Sequence, residues 1–155
     1  MGRIYSIDLA DTAVTTAVDI LEITPADDKP VRILGGWIQQ KSEASGYSTQ
    51  KLRVEFARGQ TTSGSGGSTP TPIPMNADDT AAGFTAETFN TTQASTGTRV
   101  VLGAKYISFA QGVEFYLPDD MQFRSDQGDG LLVIELTEAP GASITIGGTV
   151  WVEEV

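Results

Sequence analysis

The stretch QTTSGSGGSTPTPIP, residues 60–74, constrains this chain more than any other. It holds three glycines, three serines, four threonines and three prolines, and no charge. Proline and glycine at this density oppose a helix. Pro70, Pro72 and Pro74 also lack the N–H that a strand ladder needs. The flanks differ: residues 51–58 alternate strictly, and residues 76–92 mix acidic, small and aromatic side chains. A loop this long inside a compact domain is usually functional or disordered. Within the wider stretch 58–83, the expectation is an extended arm that leaves a β-domain to touch something else.

At 155 residues, a single domain over 1–155 is expected, long enough to bury a sizeable core. The chain has no cysteine and no histidine. Disulfides, thiolate chemistry, Cys/His metal sites and the commonest general base are therefore excluded. Ten basic residues against twenty acidic ones give a net charge of −10. That balance opposes nucleic-acid and membrane-surface binding, which both rest on cationic patches. The first residues, MGRIYSIDLAD, lack a signal-peptide core, and no apolar run is long enough to span a bilayer. The expectation is a protein made in a cytoplasm, with the Asn90-Thr91-Thr92 sequon idle. The start also fits the loose myristoylation pattern, a weak signal.

Along the chain, residues 3–8 read as an extended arm or edge strand, with 1–11 a second candidate arm. Residues 18–23 read as a strand, and 24–30 as a turn bracketed by Pro25 and Pro30. In 31–39 the spacing puts Val31, Ile33 and Trp37 on one face, with Gly35-Gly36 marking a bulge. Residues 40–50 read as a polar loop. In 51–58, Leu52, Val54 and Phe56 point inward. Asn76 as a cap, Asp78 and Asp79 in a first turn and Gly83 as a stop predict a turn or two of helix. Strands follow at 84–92, 99–109 with Gly103 a second bulge candidate, 113–117, 131–137 and 144–153 with a bend at Gly147-Gly148. About nine strands without an amphipathic helix predict an all-β fold. Its form is an antiparallel β-sandwich, jelly roll or barrel with one long Gly/Ser/Thr/Pro loop.

Several groups invite a chemical reading and have a plainer one. Ser63–Ser68 is glycine-rich, but no lysine follows as a phosphate loop requires. Asp119, Asp120, Asp126 and Asp129 match no calcium loop and read as turn residues. Asp27-Asp28 and Asp78-Asp79 are acidic pairs at turns, where capping explains them better than glycosidase chemistry. Serines have no histidine to activate them. No enzyme activity, cofactor, metal or small-molecule substrate is expected. Trp37 and Trp151 admit a sugar-platform reading. Core anchoring is the expectation for Trp37, and an interface position for Trp151, which faces away from Val150 and Val152.

The blocks Arg58-Gly59-x-Thr61-Thr62-Ser63-Gly64-Ser65-Gly66-Gly67, Thr69-Pro70-Thr71-Pro72-x-Pro74, Asp79 with Ala81-Ala82-Gly83-Phe84-Thr85-Ala86-Glu87, and Asn90-Thr91-Thr92 resemble a family of small β-rich virion proteins of tailed bacteriophages. The likeness extends from residues 23–33 to the closing Gly148-Thr149-Val150-Trp151-Val152-Glu153-Glu154 and is weakest at the start. It implies a structural role in a phage particle, foremost as a capsid decoration, or cement, protein on the head surface. The implied partners are the major capsid protein and further copies of itself, most simply as a trimer. Tail, collar or baseplate component is the alternative, and a carbohydrate-binding host-attachment sandwich is the third reading. Expected contact residues are Arg58, Thr61, Thr62, Pro70, Pro72, Ile73, Pro74, Phe84 and Trp151.

Overall fold

A computed structural model describes residues 2–41 and 50–155. The polar loop expected at 40–50 lies almost wholly outside them. The strands are β1 (Arg3–Val14), β2 (Val18–Thr24), β3 (Val31–Gln40), β4 (Lys51–Arg58), β5 (Ile73–Pro74), β6 (Thr85–Asn90), β7 (Val100–Ser108), β8 (Val113–Tyr116), β9 (Phe123–Ser125), β10 (Leu132–Leu136) and β11 (Ile144–Glu154). Helix is confined, among the described residues, to two single 3-10 turns, Asp119–Met121 and Gln127–Asp129. These two turns take up the aspartates at 119, 120 and 129.

The chain is all-β and forms two antiparallel sheets; no closed barrel forms among the described residues. One sheet runs β5-β1-β11-β3-β8, with β9 also on β3; the other runs β6-β2-β10-β4-β7. Pairing is nested: β1 takes β11, β2 takes β10, β3 takes β8, and β4 takes β7. Both sheets contribute to one hydrophobic core. Tyr5, Ile7, Ile33 and Val152 come from the first, and Leu21, Val54, Leu132 and Ile134 from the second. Residues 3–11 are therefore no free arm. They form the first part of β1, and Tyr5, Ile7 and Leu9 lock it in the core.

Bulges set which side chains reach that core. Opposite Trp151–Val152, β3 carries one residue more than β11, so Leu34 is unpaired. The alternation shifts by one at that point. Val31 and Ile33 are buried before it, and Ile38 after it. Trp37, expected in the core beside Val31 and Ile33, is turned to the outer face and is 40% exposed. A second bulge opposite Phe56–Ala57 leaves Leu102 unpaired beside Gly103. The helix expected after Asn76 does not form. Asn76 Oδ1 instead accepts the Asp78 N–H at 3.3 Å, and the Asp79 N–H donates to Asn76 O. This is an Asx-type turn, the alternative that asparagine offers its own backbone.

The stretch 60–74 does not reach away from the domain. Thr62 bridges to Ser95, Ser65 to Thr92 and Ser68 to Thr88, along the free edge of β6 and the turn that follows. It then crosses to the other sheet, where Ile73 and Pro74 pair with Ser6 and Tyr5 of β1. The segment is a strap that joins the two sheet edges on one side of the molecule. Glycine permits the fit: a Cβ on Gly67 would lie 2.0 Å from the Thr88 carbonyl oxygen.

Candidate contact face

The outer faces of the two sheets differ in kind. Behind β2 and β10, the second sheet is covered by its own chain. Ala94, Leu131 and Val133 form a small apolar cluster there. Glu22, 1% exposed, holds the strap down: its carboxylate accepts from Ser63 Oγ at 2.5 Å, the Gly64 N–H at 2.9 Å and Asn90 Nδ2 at 3.2 Å. Three carboxylates lie in one cross-strand row, Asp19, Glu135 and Glu55. Like charges directly opposite repel. Arg99 Nη2 answers two of them, at 2.8 Å from Glu135 and 2.5 Å from Glu55. Arg53 and Arg99 hold the Glu55 carboxyl below its usual range. Among the described residues Asp19 meets no cation; it accepts from the Ala94 N–H at 2.6 Å and Gln93 Nε2 at 3.4 Å. Burial, aided by Glu135 and Glu22, raises its pKa to about 7. This row is structural: Arg99 meets two of its carboxylates, and the third, Asp19, lies beneath the loop that carries Gln93 and Ala94.

No segment among the described residues covers the outer face of the first sheet. One row across it reads Ile73, Ser6, Trp151, Gly35, Tyr116. The next row brings Thr149, Trp37 and Glu114 side by side. Trp37 meets Trp151 edge to face at 4.5 Å between ring centroids, and Tyr116 stacks on Trp151 at 5.9 Å. Gly35 makes that second contact possible. It stands between Trp151 and Tyr116, and a Cβ there would sit 3.1 Å from the Tyr116 ring. The two rings close over the glycine from neighbouring strands, as aromatics do over glycines in sheets. Tyr116 donates its hydroxyl to Glu114 Oε1 at 3.2 Å. Loss of water and that carboxylate together raise its phenol above the ordinary value. Ile73 is 57% and Tyr116 64% exposed, so this face is aromatic and open.

The sequence-derived contact residues divide. Ile73 and Trp151 share the open face, and Pro74 pairs beside Ile73 on β1. Pro70 and Pro72, half-buried, carry the strap between the sheets. Arg58 donates to the Arg124 carbonyl at 2.9 Å. Thr61 and Thr62 both bond Thr96 Oγ1 at 2.7 Å. Those three serve the chain itself. Phe84 is a core residue, 2% exposed and edge-on to Tyr5 at 5.5 Å. Trp37 and Tyr116 were missed. Tyr116 stands in the short strand β8, where nothing local marks its face. The signal for Trp37 was the Gly35-Gly36 pair, whose bulge reverses the face.

Among the described residues, no group of three or more acidic side chains stands close enough to hold a metal ion. None of their helices is long and apolar enough to cross a membrane. Comparison of the chain with protein-family models, with curated proteins and with solved structures found no match in any of the three.

Proposed function

We propose that this chain is a non-catalytic structural protein of a tailed-phage particle, a decoration protein that caps the head lattice. The single observation that carries the reading is the open aromatic face. Tryptophan and tyrosine clustered on an otherwise polar surface are the residue types that dominate protein–protein contact energy. A sheet face offering Trp37, Trp151, Tyr116 and Ile73 in adjoining rows suits a broad, shape-matched contact with a capsid subunit. The resemblance of the 58–92 motifs to phage virion proteins points the same way. Strand order supports the finer reading of the fold as a jelly-roll sandwich. Without β5, β6 and β9, the two sheets run first-eighth-third-sixth and second-seventh-fourth-fifth, as two Greek keys wound together do. A ring of three copies at lattice three-fold positions would multiply a modest contact into firm attachment. A place on the tail or collar would use the same face.

Cosedimentation with expanded, undecorated phage heads tests the reading. The wild-type chain is expected to pellet with heads, and the double variant Trp37→Ala, Trp151→Ala to remain in the supernatant while still folded. A wild-type chain that never pellets, or a double variant that pellets equally, overturns it. One observation favours a second reading, a carbohydrate-binding sandwich: Trp37 borders a cleft of about 450 Å³ with Gln39, Gln111 and Glu114. Glycan-array binding lost in Trp37→Ala would select it.

A further inference from the structure

The side of the molecule away from the strap carries a second feature. There β7 and β8 end their sheets, and the core between them is open. The cavity has a volume of about 210 Å³, and Phe56, Val113, Phe115, Leu117 and Phe123 line it from both sheets. Its origin lies in β7. Register pairs Leu52 with Ile107, Val54 with Lys105 and Phe56 with Gly103, so these three β7 residues occupy core-facing positions. Only Ile107 fills its position with a buried apolar side chain. Gly103 brings none and its space is taken by the Phe123 ring, 2.8 Å from where a Cβ would lie, while Lys105 is exposed and brings a cation rather than an apolar filler. Phe123 packs on Phe56 at 4.5 Å and closes the floor. Lys105 is the one charged residue on the lining, and it has no ion pair among the described residues.

We propose that this cavity is a binding site for a small anionic amphiphile, an alkyl or aryl carboxylate with about six to ten carbons. Cavities of roughly 150 Å³ lined by Leu, Ile and Phe already admit a benzene-sized molecule. The space here takes a short chain or one ring, which gains from leaving water. The ammonium at the mouth selects the carboxylate end over a neutral or cationic one. An inward lysine on an edge strand also discourages strand addition. That role requires no hollow behind it, and it makes no demand on ligand charge.

Titration calorimetry of the full chain with octanoate, octanol and octylamine decides the matter. Octanoate is expected to bind most tightly, with octylamine at least about tenfold weaker. Lys105→Gln should weaken octanoate about fivefold or more and leave octanol unchanged, since only the charge contact is lost. Val113→Trp should plug the cavity and abolish both. Leu117→Phe, a smaller intrusion, repeats that test if the first variant does not fold. No octanoate binding at about 10 mM would overturn the proposal, because an affinity weaker than that leaves the site without selective value. So would equal binding of octanoate and octylamine, or undiminished octanoate binding in a folded plugged variant.

Discussion

The two open sides of this double-sheet molecule met the same problem and answered it differently. Where β1 and β6 end the sheets, the strap crosses from one to the other, and buried Glu22 fastens its backbone. Where β7 and β8 end them, only the short turn 109–112, among the described residues, joins the two edge strands and Phe123 packs across onto Phe56, and an apolar cavity remains between the sheets. The contrast shows that a proline- and glycine-rich segment need not be loose. Its N–H groups can be met by a carboxylate, an amide and backbone carbonyls of the sheet edge beside it, and its lack of bulk lets it lie close.

If the closed side is the more tightly built, perturbing it should cost more. Phe84→Ala is expected to destabilise by about 4 kcal/mol, because the ring is fully buried against Tyr5 and its loss leaves a cavity. Urea unfolding measures it, and a loss under about 1 kcal/mol would show that this side is slack. Glu22→Ala should cost about 3 kcal/mol, since the Gly64 N–H and the Asn90 amide lose a buried acceptor. The strap should then become a protease site within 60–74, and mass spectrometry of the fragments locates the cut. Phe123→Ala, on the open side, should cost only about 1–2 kcal/mol, because its ring already borders a void. A cost equal to that of Phe84→Ala would erase the contrast.

The covering layer also gives a pH signature. Asp19 binds its proton more tightly folded, near pH 7, than its ordinary value of 3.8. The folded state then holds more protons than the unfolded one between those limits. Stability is fullest below pH 3.8 as far as this group is concerned, and it falls as pH rises toward 7. The slope is at most about 1.4 kcal/mol per pH unit, one proton's worth. Asp19→Asn should flatten it. Melting temperatures between about pH 5 and 8 read the slope, and an unchanged slope in the variant would place the titrating group elsewhere.

Much of this architecture was legible in the residues. The alternation of Leu52, Val54 and Phe56 marks β4, and all three are buried. Gly35-Gly36 and Gly103 flag bulges, which stand beside them at Leu34 and Leu102. What a bulge does to every later side chain was not legible, so Trp37 was assigned to the wrong face. The strap's partners were hidden for another reason. Glu22 and Gly64 are 42 residues apart, and an acidic residue in a strand reads locally as a solvent face. The inward Lys105 likewise emerges only from register, which no short window contains.

The nested pairing has a consequence for how the molecule is made. The centre of the first sheet is β11, which lies between β1 and β3 and pairs with both. On a ribosome it emerges last of the three. Until residues 144–154 have been synthesised, β1 and β3 wait with apolar faces uncovered and edges unpaired, seconds long at ordinary elongation rates. This interval, before the sheet can close, is when the nascent polypeptide most needs shielding from its neighbours.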